Sequence, residues 1–118
     1  MKTQSKTFKF QDYGSTLGLS CPRCGSDYLH HTGAEFFERD EDGPSEIKIT
    51  VEGGTVRTSV IPSTNSGNPS TRRHGMKVIF FCENCKGENG DAIEMNIAQH
   101  KGMTELSWTF SPPQKNST

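Results

Sequence analysis

The chain has 118 residues, four of them cysteine, a formal charge of −1 and only 30% hydrophobic side chains. Globular chains usually carry about 45–50% apolar residues, glycine included, so one small domain with a thin core is expected, and such domains lean on disulfides or a bound metal. A charge so near zero offers no general capture of nucleic acid, which would need a local basic patch, and no run approaches the ~20 apolar residues of a membrane span.

Residues 1–18 read as a flexible arm. Lys2, Lys6 and Lys9 make it basic, and Phe8 and Phe10 alternate with polar neighbours, a pattern that suits a short strand on an open sheet edge. Gly14 and Gly18 favour loop. The start, Met1-Lys2-Thr3-Gln4-Ser5-Lys6-Thr7, lacks the apolar run of a signal peptide. A cytoplasmic, reducing setting is therefore expected, where stable disulfides are rare.

The β domain is expected over residues 19–110. It opens on a cysteine turn, Cys21-Pro22-Arg23-Cys24-Gly25. Ser26 to Glu38 reads as one strand, bent or bulged at Gly33. Arg39-Asp40-Glu41-Asp42-Gly43-Pro44 is a charged turn. Ile47, Ile49 and Val51 alternate with polar residues, Glu52-Gly53-Gly54-Thr55 turns, and Val56 to Ile61 is β-rich, which predicts a hairpin. Residues 62–71 hold no aliphatic or aromatic side chain, and a loop that long is either functional or disordered. Met76 to Phe81 is a strand leading into the second cysteine turn, Cys82-Glu83-Asn84-Cys85-Lys86-Gly87. A second hairpin follows, with Ile93, Met95 and Ile97 on one arm, Leu106, Trp108 and Phe110 on the other, and a turn over His100 to Met103. Residues 111–118 carry two prolines and no hydrophobe and read as a disordered tail. No useful segment has helical periodicity, so the class is all-β and antiparallel.

Each cysteine pair is split by two residues, so both sulfurs of one tight turn can reach one ion, and two such turns complete a tetrahedron of thiolates. A disulfide across two residues would close a very small ring and make a poor staple. The expected ligands are Cys21, Cys24, Cys82 and Cys85.

The two turns with a β-rich stretch between them resemble a zinc ribbon, in which two knuckles grip one structural Zn²⁺. Gly25 and Gly87 stand where that family relieves backbone crowding near sulfur. The usual gap between the pairs is about 15–20 residues. Residues 25–81 intervene here, which implies an insertion over residues 40–75. The whole chain, with Asn68-Pro69-Ser70 and Arg72-Arg73-His74-Gly75, also resembles small uncharacterised zinc-ribbon proteins of bacteria and their phages, a likeness that brings no activity with it. Rubredoxin-like iron is the alternative. Rubredoxins usually carry proline in the second knuckle, where Glu83 stands here. Arg23 and Lys86 are placed to offset the charge of the site, and for Lys86 plain solvated surface is an equal alternative.

Four protein ligands leave no open position for water, so the metal's expected role is structural. His30, His31, His74 and His100 are then surplus as ligands. No nucleophile beside a base, carboxylate pair or phosphate loop stands out, and neither an enzyme nor a small-molecule substrate is expected. The candidate binding residues are Arg72, Arg73, His74 and Lys77, where a polar loop meets a strand and arginines can fork onto the phosphates of DNA or RNA. Such a loop would order on contact, with Trp108, Phe80, Phe81 or Tyr28 as stacking faces where exposed. The alternative is a protein partner, met through a sheet edge or the acidic run Glu38 to Glu46, or a subunit role in a larger assembly.

Overall fold

Each strongly alternating stretch becomes a strand, because period-two patterning gives a sheet one wet and one dry face. The computed structural model describes residues 2–90 and 92–114. In chain order the strands are β1 (Thr3–Ser5), β2 (Phe10–Asp12), β3 (Leu17–Leu19), β4 (Leu29–Glu38), β5 (Ser45–Glu52), β6 (Thr55–Pro62), β7 (Gly75–Cys82), β8 (Ile93–His100) and β9 (Met103–Phe110). The only helical turn among the described residues is a 3₁₀ turn at Glu88–Gly90. The chain is all-β and antiparallel, as expected. No helix among the described residues is long and apolar enough to cross a membrane.

One seven-stranded sheet runs β1-β9-β8-β7-β4-β5-β6, and β2-β3 forms a separate small ribbon. Both expected hairpins are present. Gly53 and Gly54 have φ of +59° and +76°, as a two-residue turn with both residues left-handed requires, and this fixes Glu52 opposite Thr55. The bend expected at Gly33 is a register irregularity between His31 and Gly33, where β4 pairs with β7. The hairpin β5-β6 pairs with β4, so it widens the same sheet.

The structure differs at both ends of the chain. Residues 3–5 of the expected arm are an edge strand, with Thr3 opposite Phe110 and Ser5 opposite Trp108. Phe8 stacks on Trp108 at 5.0 Å between ring centroids. Phe10 pairs with Leu19 in the separate β2-β3 ribbon, whereas the edge of the main sheet is taken by Thr3-Gln4-Ser5, because edge bonds use backbone groups that side-chain patterning does not report. At the other end, Ser111 is buried, Pro113 bridges Gly87, and the Gln114 amide donates to the Lys86 carbonyl at 2.9 Å. Residues 111–114 are a strap on the second cysteine turn, and residues 115–118 of the expected tail lie outside the described residues.

The core is small and sits at one end of the sheet. Phe80, Ile93, Trp108 and Phe110 are buried there with Cys21 and Cys82, under Phe8 and Leu19. On the opposite face, Phe37 is fully buried, with Gly67 of the 63–74 loop above its ring. That loop is built, not loose. The Asn68 side chain accepts from the Ser70 amide and donates to the Arg73 carbonyl, the Ser70 hydroxyl donates to the Gln99 carbonyl, and Arg39 donates to the Thr71 carbonyl. The loop therefore does not need a ligand to order it.

Candidate metal centre

Antiparallel pairing of β4 with β7 places Leu29 opposite Cys82. The turn before β4 and the turn after β7 thus lie at the same end of the sheet, although 57 residues, 25–81, separate the pairs in sequence. The first turn is closed by the Gly25 amide donating to the Cys21 carbonyl at 2.8 Å and the Cys21 amide donating to the Ser26 carbonyl at 2.9 Å. The Glu83 amide donates to the Tyr28 carbonyl at 3.1 Å and ties the second turn to the first.

All four Sγ atoms lie within 4.8 Å of one another. Cys21 and Cys85 are 3.7 Å apart at sulfur, and Cys24 and Cys82 are 3.5 Å apart. A tetrahedral ion with metal–sulfur bonds of about 2.3 Å holds its sulfurs about 3.8 Å from one another. A disulfide needs about 2.05 Å, so the cysteines are free. The cluster fits a single metal ion held by four thiolates.

The electrostatics of the thiol cluster point the same way. Burial pushes the Cys21 thiol up, partly offset by the Cys24 and Arg23 amides. Burial and the neighbouring sulfurs push Cys85 up to about 12, against the lowering effect of Arg23. Burial also raises Cys82, but the Asn84 and Cys85 amides and the Cys24 and Cys85 sulfurs outweigh it and bring that thiol down to about 7. One thiolate forms near neutrality and opposes the next, so full ionisation needs a cation. At pH 7, loading must displace at least the protons of Cys21 and Cys85. Apparent affinity should then fall at least about a hundredfold for each unit of acidification, at least two protons being exchanged for one ion. Metal titrations at pH 6, 7 and 8 with a competing chelator read this directly, and an affinity flat across that range contradicts it.

Arg23 meets the expectation made for it. Its Nη1 lies 3.5 Å from the Cys85 sulfur, and its Nε donates to the Ser111 carbonyl at 2.8 Å. One guanidinium thus joins the first turn, the second turn and the C-terminal strap. Lys86 is exposed. The two expected glycines serve different needs. Gly25 takes φ of +80°, whereas a Cβ on Gly87 would lie 2.5 Å from Arg23 Nη2 and 3.0 Å from the Ser111 Cβ. Gly87 makes room for the guanidinium and the strap.

The basic candidates are elsewhere. β7 runs eight residues from Gly75 to Cys82, so Arg72, Arg73 and His74 lie about 25 Å from the sulfurs at ~3.4 Å per residue. Their charges are already answered. Arg72 forks onto both oxygens of Asp42 at 2.9 and 2.8 Å and reaches Glu41 at 3.1 Å. Arg73 meets Glu41 at 2.9 Å, and Lys77 lies 3.9 Å from Glu94. The Arg72 guanidinium holds the Asp42 carboxyl below its usual range. His74 Nδ1 accepts from the Arg39 amide at 3.0 Å, and its ring stacks on Phe36. The acidic and basic runs, separate in sequence, meet because β4 ends beside the start of β7.

Of the suggested stacking residues, Trp108 and Phe80 are buried, while Phe81 and Tyr28 are exposed. His30 pairs with Glu83 and His100 with Glu105. The sequence reading missed two features, the clamp made by Arg23 and an open apolar sheet face carrying Val51, Val56, Val60 and Leu106. The second was signalled by alternation in both arms of the 45–62 hairpin, which requires a dry side. No family model, curated protein or solved structure matches this chain, so the assignment of the site rests on its own geometry.

Proposed function

We propose that this chain is a structural-zinc scaffold of the zinc-ribbon kind whose sheet binds protein. The observation that carries the docking half is the open apolar face. Val60 is 73% exposed, Val56 66%, and Val51 and Leu106 47% each. Contiguous apolar surface on this scale marks interaction sites. Zinc is preferred over iron because Glu83 stands where rubredoxins usually carry proline and is engaged with His30. Four thiolates close the coordination sphere, so the ion holds the fold and is not offered to a substrate.

Contact with DNA or RNA through Arg72, Arg73, His74 and Lys77 is the weaker reading. A phosphate there would have to displace Asp42 and Glu41 from their arginines. It would also approach a segment whose own charge is negative.

The test is affinity capture in parallel with the zinc-loaded protein and with a Val56→Lys, Val60→Lys variant, washed at high salt. The expected result is a protein, which can be the chain itself, that survives the wash on the parent and is lost on the variant. Recovery that melts away with salt, or that is equal on both baits, contradicts the docking reading.

A further inference from the structure

Directly paired residues of an antiparallel sheet share a face. By register, Leu106, Ile97, Met76, Phe36, Ile49 and Thr58 form one row across six strands. The next row is Trp108, Met95, Val78, Ala34, Val51 and Val56. Neither row holds a charge, but the flanking row that carries Val60 and Ile47 includes Glu38, and the His74 ring stacks on Phe36. The corresponding row on the opposite face is Ser107, Asn96, Lys77, Glu35, Thr50 and Arg57. Phe8 and Leu19 cover the Trp108 end of the dry face. Among the described residues no element packs over the remainder, which runs out to Val56 and Val60 on the edge strand β6.

We infer that a second copy of this chain seats on this face, sheet against sheet across a two-fold axis. The inference rests on the docking reading above and names its partner. Uncharged rows give a different protein no electrostatic guide to orientation, whereas an apolar face is complementary to itself under two-fold symmetry. Size agrees. Six strands at ~4.8 Å spacing and eight residues at ~3.4 Å each make a face of about 780 Å² of flat sheet, of which the Trp108 end is already covered by Phe8 and Leu19. That is of the same order as the ~800 Å² per partner in a stable complex. Two such faces packed ~10 Å apart form a β-sandwich, which supplies the core a chain with 30% hydrophobic residues lacks by itself. Thr58 and Thr104 give the patch a polar rim, the usual anatomy of an interface.

Sedimentation equilibrium of the zinc-loaded full chain over a wide concentration range tests this. The parent should reach twice the 13.1 kDa chain mass. Val56→Lys with Val60→Lys should weaken association at least a hundredfold while keeping one metal per chain and the β spectrum. Thr58→Arg, a milder change at an exposed position on the same face, should weaken it at least tenfold and covers the case in which the double variant fails to fold. Ser59→Lys, on the other face of β6, should leave it unchanged. A parent that stays monomeric, or variants that associate as the parent does, overturn the inference. If the monomer still captures another protein in a face-dependent way, the second copy is wrong and docking survives. If it captures none, both fall.

Discussion

Stripping the metal from the purified protein is expected to unfold it cooperatively. The four sulfurs join two turns that otherwise meet through few bonds, among them Glu83 to Tyr28 and Asn84 to Ser26. Structural zinc contributes about 10–16 kcal/mol of apparent folding free energy in small domains. Whole domains are stable by only about 5–15 kcal/mol. Metal loss also leaves thiols that burial and their neighbours oppose ionising, crowded into the space of one ion. The single tryptophan is a built-in reporter. Chelation should abolish the β signal in circular dichroism and shift Trp108 emission to the red in one transition, and added zinc should reverse both. Cys82→Ser should behave like the stripped parent. A metal-free chain that keeps both signals would show that the sheet stands without its ion.

Trp108→Ala should be the most damaging substitution away from the cysteines. Trp108 is fully buried, stacked on Phe8 at 5.0 Å and edge-on to Phe80 at 5.7 Å between ring centroids. It joins β9 to the N-terminal segment that covers the core. Truncating a buried tryptophan typically costs about 3–5 kcal/mol. At about 4 °C per kcal/mol for a domain of this size, the melting temperature should fall by roughly 12–20 °C. Trp108→Phe should cost much less. The indole Nε1 is buried without a hydrogen-bond partner, so phenylalanine removes an unsatisfied donor while keeping the stacking. Thermal melts of the zinc-loaded variants decide this. An alanine variant within about 1 kcal/mol of the parent would mean that the covering segment contributes little.

The sulfurs and the strands were legible in sequence for the same reason, that the signal is local. A cysteine turn needs two residues between its ligands, and a half-buried strand needs alternation, so Cys21, Cys24, Cys82 and Cys85 and both hairpins follow from short windows. The order of strands follows less directly. No short window shows that β4 pairs with β7, and that pairing carries Asp42 to Arg72. The ion pairs of the basic cluster are not legible in sequence because its partners stand 30 residues away. The docking of residues 111–114 is not legible in sequence because they are held through backbone groups, with the Glu88 amide donating to the Pro112 carbonyl and the Gln114 amide to the Lys86 carbonyl. Such bonds leave no mark in side-chain pattern. The long loop looked loose because its order comes from turns of Asn68 and Ser70 onto their own backbone, and composition alone does not distinguish those from flexible loop.

The most direct test of the account is metal analysis with X-ray absorption at the metal edge on freshly purified protein. The prediction is one zinc per chain, surrounded by four sulfurs at about 2.3 Å. A chain without transition metal, or an ion bound to fewer than four sulfurs, would contradict it.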